Sequence, residues 1–581
     1  MKDIMIPALT PSASLSETLR FFLFETGLSV SGARMQSALM QAEKRCVKRL
    51  QAAVLREGLA NAPFPVSGMP RFLQHLQNNL QENGLKEALR WEKVCRELEQ
   101  SIANDALASV YRAHWQECLL REASGYLSFW LWVQEALSGS ERLAFLEQWG
   151  CIGHPTHPNF RVKSGFSFSE TLSYSPEFEA RVPLYWCALA RHSVKSAAED
   201  RRLDTLLRQH FPLEYQAFCE RLSARHKNPE DYQALVVHPW QWRNRLRRAC
   251  APLILKGDAI AFPEHQWARP SMSFRTMMPE SGGPHLKLSV GVHTTSATRT
   301  VSVASVRNGP EVSRWINGLL AQYGHFEGSL YLAAERGGMH LDSPDVDAAL
   351  NRHCAMIVRE NPATCVPETA VLVPLAALFA MSPVSQKPLL LEVYTASGMH
   401  LTEFFAEWCR CVLRGQLTLL LRHGLAFEAH QQNVLVAIAQ SRILALVLRD
   451  LGGIGIGDAA FFDNQDYPRL HADVTIGNRT LEALCATFTH GNLLSHLATC
   501  IEAFSAHSDM TQEALWGIVR DCLEKELAAL AAVVPEARLQ EARLRLLRHP
   551  WKQKCLLSMR LLHESGMNQY TSVKNPLVKP A

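Results

Sequence analysis

The sequence predicts an α+β protein with a helical N-terminal unit, and three observations carry that prediction. Apolar residues recur three or four apart from Ser12 to about Ser138. Turn-rich segments with β-branched runs follow between Gly153 and about Val384, and a short-turned hairpin then precedes a helical C-terminal stretch. At 581 residues the chain exceeds the size at which a single core stops growing, so several packed units are expected, bounded at 1–150, 151–386 and 387–581.

In the first unit, SLSETLRFFLFETG and FLQHLQNNLQENGLKEALRWEKVCRELEQSI have helical period, and the Pro/Gly-rich stretch from Asn61 to Pro70 separates helices. In the second, LKLSVGV sets Leu286, Leu288, Val290 and Val292 on one face of a strand and Lys287 on the other, toward an open cleft. HPWQW at His238 reads as packing of Trp240 and Trp242. In the third, PLLLEVYTA reads as a strand, and a helix runs from Thr402 to Leu421 with Gly424 at its C-cap. NVLVAIA and ILALVLRD then pair across AQSR as a hairpin, and residues 481–562 read as helical.

Composition excludes several classes of function. With 47% hydrophobic and 20% charged residues the chain is an ordinary globular one, not a disordered one. Sixty Lys and Arg against 56 Asp and Glu leave a charge of +4, too small to make nucleic acid or an anionic membrane the main partner. The N-terminus lacks the apolar run of a signal peptide, and the longest apolar stretch, AVLVPLAALFAM from Ala370, is too short to span a bilayer, so a cytoplasmic protein is expected. Fifteen Cys without a C-x-x-C read as packing residues.

The strongest chemical signal is FEAHQQNVLVAIAQSRILALVLRDLGG. Glu428, His430, Gln432 and Asn433 lie just before the first strand of the hairpin, and Asp450 ends the second, so two carboxylates and an amide meet. Hard oxygen donors of this kind suit magnesium that also binds phosphates, and kinases place an Asn and an Asp-x-Gly on either side of a hairpin in the same way. Read alone, Asn433 and Asp450 could instead cap turns and His430 could be a core histidine.

A second cluster weighs against that alternative. Arg275 in SMSFRTM, Lys287 and Arg299 in TTSATRT sit on turns and strands that can converge on one cleft, neutralising a triphosphate and holding a carboxylate. Thr295 and Ser296 add hydroxyl and backbone donors, in a phosphate-binding loop or at a helix start. In GHPTHPNFRVKSGF, a zinc pair of His154 and His157 lacks a partner at ligand spacing, and Pro155 stiffens the backbone between them. The turn, with Arg161 and Lys163, reads as an edge of an anion or nucleotide pocket.

In order, GHPTHPNFRVKSGF, HPWQ, SMSFRT, HLKLSVGVHTTSATR, EAHQQNVLV, RDLGG and KCLLSMRL resemble the NRPS-independent siderophore (NIS) synthetases of the IucA/IucC family, from about residue 150 to 565. The resemblance implies a cupped hand of thumb, fingers and palm, with a distantly kinase-like palm and ATP held between fingers and palm. It implies adenylation of a carboxylate of citrate or a related acid, then transfer of the acyl group to an amine or hydroxyl, with release of AMP and pyrophosphate. Small-molecule substrates, ATP, Mg2+ and a homodimer belong to the same expectation.

By the resemblance, Ser273, Arg275 and Lys287 bind the nucleotide, with Thr295, Ser296, Gln432, His154, His157 and Lys163 beside it. Arg299 and His430 are the catalytic pair that grips the carboxylate and the α-phosphate, and Glu428, Asn433 and Asp450 hold magnesium. Lys554 and Arg560 are expected on the acid's remaining carboxylates. The family usually shows HPxxK followed by Arg two residues on, whereas Arg161 precedes Lys163 here. The two-histidine form looks more like members that use free citrate or 2-oxoglutarate than those that use an acylated citrate such as a monoamide. A kinase-like phosphotransferase would release ADP instead, and a degenerate ATP-binding scaffold would have lost part of this set.

Overall fold

Amphipathic stretches become helices where their apolar stripe finds a partner. The computed structural model describes residues 13–65, 68–82, 90–198, 202–295, 297–322, 329–458, 461–462, 467–468, 470–471, 476–562 and 569–578. Near its start lie the helices Ala13–Glu25, Gly32–Arg56, Met69–Glu82 and Trp91–Glu122. Gly32–Arg56 buries Met35, Leu39, Ala42, Cys46, Leu50 and Ala53, three or four residues apart, and Ser31 caps it by accepting from the Arg34 N–H. Its opposite face is left to border a cleft.

The β-rich middle of the chain forms an eight-stranded sheet. Its order is Val194–Ala198, Glu335–Leu341, Ala355–Arg359, His285–Leu288, Thr276–Pro279, Ala259–Pro270, Val182–Ala190 and Tyr232–Val237, with every neighbouring pair antiparallel. Trp240, on the turn after the last of these strands, packs with Phe166, Phe274, Val290 and Val292 as the reading of HPWQW requires.

A second sheet orders Val371–Pro374, Val434–Ala439, Arg442–Leu448 and Leu330–Leu332, the last pairing parallel. The predicted hairpin is here, with Ala439 opposite Arg442. Gln440 and Ser441 both take positive φ, 50° and 58°, as a two-residue turn matched to strand twist demands. The helix Leu401–His423 packs beside it and ends at Gly424, φ 56°. PLLLEVYTA is a helix, Leu389–Ser397, not the strand its apolar run suggests. Leu389 to Val393 are all buried, so a helix covered on every side left no period to read.

Packing interleaves the chain. The helices Phe129–Ala136 and Gly139–Trp149 share one core with Leu330, Val373, Trp408 and Leu448. Leu557 and Leu561, near the C-terminus, lie in the core of the N-terminal helices. Residues flanking the hairpin are thereby fixed to distant parts of the sequence.

Candidate functional site

The segment before the hairpin is a tight turn. The Glu428 carbonyl accepts from the His430 N–H (2.9 Å) and from Asn433 Nδ2 (3.1 Å), and Asn433 N donates to the His430 carbonyl. Arg449 closes the hairpin's open end. Its N–H donates to the Asn433 carbonyl, and its guanidinium donates to the Gln432 carbonyl and to Glu147, at 2.6 Å from Nη1. Glu147 Oε2 also accepts from Met272 N at 2.9 Å, so one buried ion pair ties the Gln432 turn to the loop that carries Ser273. Nothing in the sequence marked Arg449 or Glu147, because their meaning depends on a contact across 302 residues.

Asp450 follows with φ 71°, in the left-handed region that few non-glycine residues occupy, and its Oδ1 accepts from Gly452 N. Strain of this kind persists where surroundings over-determine it. At Gly453 a Cβ would stand 2.0 Å from Glu428 Oε2, so only glycine lets that carboxylate lie over the backbone.

Arg275, Lys287 and Arg299 do not all face open space as expected: Lys287 pairs with Asp450, and the Arg275 charge also acts on that carboxylate. Lys287 Nζ is 2.8 Å from Asp450 Oδ1 and 3.3 Å from Glu335 Oε1. Arg359, absent from the sequence expectations, is 2.9 Å from Glu335 Oε1 and 3.4 Å from Asp450 Oδ2. Lys287 is buried, which corrects the expectation that it faces an open cleft. Burial pushes the Asp450 carboxyl up, and Lys287, Arg359 and Arg275 outweigh it and hold the group well below the usual carboxylate range. Arg275 donates to the Thr300 carbonyl, and burial with Arg299 nearby pulls its guanidinium down to about 10.

Beside this cluster opens a cleft of about 970 Å³. His154, His157, Lys163, Ser273, Thr295, Arg299, Glu428, His430, Gln432 and Lys554 all line it, while Arg275, Lys287, Asn433, Asp450 and Arg560 do not. Thr295 lies in a turn closed by Thr294 N donating to the Ala297 carbonyl, not at a helix start, and Ser296 lies outside the described residues. Arg299 is pinned by backbone bonds to Val290 and Val292, and its side chain reaches Thr294 Oγ1. Burial lowers its pKa, and the nearby Asp450 and Glu428 oppose that shift. Lys554 crosses from the C-terminal segment to Glu428 Oε1 at 2.7 Å. Burial holds His430 below the usual histidine value against the pull of Glu428, so its ring is neutral at pH 7.

Other expected residues have their charge met inside the protein. Lys163 pairs with Glu177, and Arg161 bridges Glu177 (3.2 Å) and Asp105 (3.0 Å), all buried. Arg560 is turned onto Glu97, Nε to Oε2 3.1 Å, on the helix Trp91–Glu122. The His154 ring is occupied within its own turn, Nδ1 accepting from the N–H groups of Thr156 and His157.

Among the lining residues that escaped the sequence reading is a histidine beside the Glu428 turn. His490 sits in the π-helical stretch Thr489–Leu497, and burial with Lys554 nearby brings it down to about 4. Its neighbour Gly491 packs so closely that a Cβ would stand 2.7 Å from Ala429 N. The wide helical turn, frequent at functional sites, was the missing signal, and it is not readable from residue types.

The IucA / IucC family model matches residues 142–380, and the ferric iron reductase FhuF-like transporter model matches residues 402–569. Staphyloferrin A synthase from Staphylococcus aureus is 27% identical over 468 residues, 78% of this chain and 76% of that protein. D-ornithine–citrate ligase from the same organism is 26% identical over 456 residues, 74% of this chain and 69% of that protein. The crystal structure of the petrobactin biosynthesis protein AsbB from Bacillus anthracis superposes with a TM-score of 0.79 at 18% identity, covering 95% of this chain and 98% of that one. Its mixed helix-and-sheet fold is therefore shared. Among the described residues no helix is long and apolar enough to cross a membrane.

Proposed function

We propose that the chain is an NIS synthetase of the IucA/IucC kind, which adenylates a carboxylate of citrate with ATP and condenses it with an amine or hydroxyl. It is accordingly an ATP-dependent ligase of siderophore biosynthesis that releases AMP and pyrophosphate. The observation that carries this reading is the meeting of Arg299 with His430, Glu428 and Lys554 in one cleft, from segments more than a hundred residues apart.

Attack of a carboxylate on the α-phosphorus brings two anions together, so cations fixed where charge develops lower the barrier. Arg299, held by its neighbours and free of a carboxylate partner at bonding distance among the described residues, is placed to act there. His430 is neutral and donates to or accepts from an oxygen without adding charge, which suits a carboxylate nucleophile that needs no deprotonation. Ser273 and Thr295 line the same cleft and supply donors to the nucleotide, while Lys287 and Arg275 stand behind them around Asp450. Lys554 is read as a contact to a remaining carboxylate of the acid.

Glu428, Asn433 and Asp450 are read as the hard oxygen donors that would hold magnesium, with Glu428 Oε2 lying over Gly453 and Asp450 exchanging its Lys287 contact for the ion. A magnesium ion held there would offset phosphate charge. We also read the hairpin sheet as the palm, distantly kinase-like, of a thumb, fingers and palm arrangement with units near 1–150, 151–386 and 387–581. The enzyme is read as cytoplasmic and homodimeric, which fractionation and light scattering test.

Incubation with ATP, magnesium and a panel of acids, citrate and 2-oxoglutarate among them, tests the chemistry. Citrate-dependent pyrophosphate and AMP are expected. ADP in their place would make the protein a phosphotransferase, and 2-oxoglutarate as the better acid would replace citrate.

A further inference from the structure

Phosphates and the acid account for cations on one side of the cleft only. The other side is the outer face of the helix Gly32–Arg56, where Arg45, Lys48, Arg49 and Arg56 line the cleft at helical spacing. Their charges are not equally spent. Arg45 is bound to Asp105 at 2.6 Å and to Ser109 at 2.8 Å. Arg49 lies over the Phe160 ring, 3.9 Å from its centroid, and reaches only the His154 carbonyl at 3.5 Å; its Nε is buried without a hydrogen-bond partner among the described residues.

Arg56 is buried at Nε and Nη2, again without a hydrogen-bond partner among the described residues. Glu57, 3.9 Å from Nη2, is already committed, since its two oxygens accept from the N–H groups of Leu557 and Ser558. Buried guanidinium donors are costly to leave unmade, so acceptor oxygens from a ligand are the missing element. Arg49 and Arg56 are seven residues apart, about 10 Å along a helix axis, close enough to serve one small molecule.

This face is separate from the wall that carries Arg299. His157 lines the cleft with both, and both Arg56 and Arg299 act to lower its pKa. We propose that the helix face is the acceptor subsite, and that the amine or alcohol joined to the acid carries a carboxylate, bound by Arg49 and Arg56. The inference rests on the ligase reading above and names the acceptor class for it.

A planar guanidinium fork matches a carboxylate. A diamine without one is cationic at neutral pH and would meet two guanidinium groups here and offer them no acceptor oxygen. In the transfer step the amine nitrogen's lone pair forms the new C–N bond at the activated acyl carbon. The bond from that carbon to the phosphate-bearing oxygen breaks, AMP leaves with the oxygen and its electron pair, and the nitrogen loses one proton to solvent.

Matched acceptors test the proposal with the full chain, ATP, magnesium and citrate: lysine against cadaverine, ornithine against putrescine, serine against ethanolamine. Hydroxylamine, which traps an activated acid as its hydroxamate, reports adenylation independently of the subsite. At least one carboxylated acceptor is expected to exceed its partner about tenfold or more in kcat/KM, as a site built to bond a polar group rejects the analogue lacking it. Arg56→Met and Arg49→Met should raise KM for that acceptor at least about ten times more than they raise KM for citrate, and Arg56→Lys should restore part of the loss.

Equal or better use of the uncarboxylated partners would overturn the proposal. A rise in KM for citrate as large as that for the acceptor would also overturn it, assigning the arginines to the acid. Absence of hydroxamate from the unaltered enzyme with every acid would overturn the ligase reading, and this inference with it.

Discussion

Two loops bring cations to the same cleft, and they do so differently. In the loop from Gly153 to Phe166, Arg161 and Lys163 are buried and both charges are met by Glu177 and Asp105. In the loop from Val290 to Thr300, Arg299 is anchored by backbone bonds and a threonine hydroxyl and keeps its charge for the cleft. A cation lining a pocket is thus available for ligand only to the extent that the protein has not already paired it. Burial favours the paired arrangement in the absence of ligand.

The sharpest way to break this contrast is to remove the counter-charge. Glu177→Gln should leave Lys163 and Arg161 buried with too little negative charge, a loss of about 3–5 kcal/mol in denaturant unfolding. A much smaller loss would mean that the loop's cations reach solvent or ligand after all. Next, Arg299→Ala should cut citrate-dependent pyrophosphate release about 10²–10³-fold, by analogy with an oxyanion donor, while the unfolding curve stays in place. Wild-type-like release from that variant would sink its catalytic assignment.

Gly453→Ala should push Glu428 off its position, since the added Cβ would stand 2.0 Å from Oε2. The magnesium concentration for half-maximal activity should then rise about 10–100-fold, as for other disturbances around a metal ligand. An unchanged requirement would remove Glu428 from the metal set.

Smallest is a pH effect from histidines held neutral by burial. His238 accepts from Trp240 N and His496 accepts from Trp408 Nε1, roles a protonated ring cannot fill, and burial takes both down to about 3. Between the unfolded value near 6.5 and about 3 only the unfolded chain binds those protons. Stability is therefore full above about pH 6.5 and falls with acidification, by about 1.4 kcal/mol per pH unit for each such ring. His238→Asn keeps an acceptor for Trp240 N and should flatten the slope by one proton; an unaltered slope would show that His238 does not contribute.

Much of the fold was legible in sequence because it follows from local periodicity. The amphipathic helices, the hairpin across Gln440 and Ser441, and the Gly424 cap are each written within a few residues. Leu389–Ser397 misled because its first five residues are all buried: Glu392 is drawn in to accept from Trp130 N, so no polar face marks a helix there. In the site, Arg299, Glu428, His430 and Lys554 were found from residue type and order, and they do share one cleft. Arg359, Glu335, Glu147, Arg449 and His490 were not, since each acquires its role from a partner far away in the chain.

By itself the sequence carried the likeness to the IucA/IucC family, the elements whose period it holds, and the set of chemically able side chains. Tertiary structure alone decided which of those charges stay available. That choice is a matter of distance, because a carboxylate at hydrogen-bond distance in a buried setting occupies a cation that would otherwise bind substrate, and no spacing rule reports where Glu177, Glu97 or Glu335 will fall.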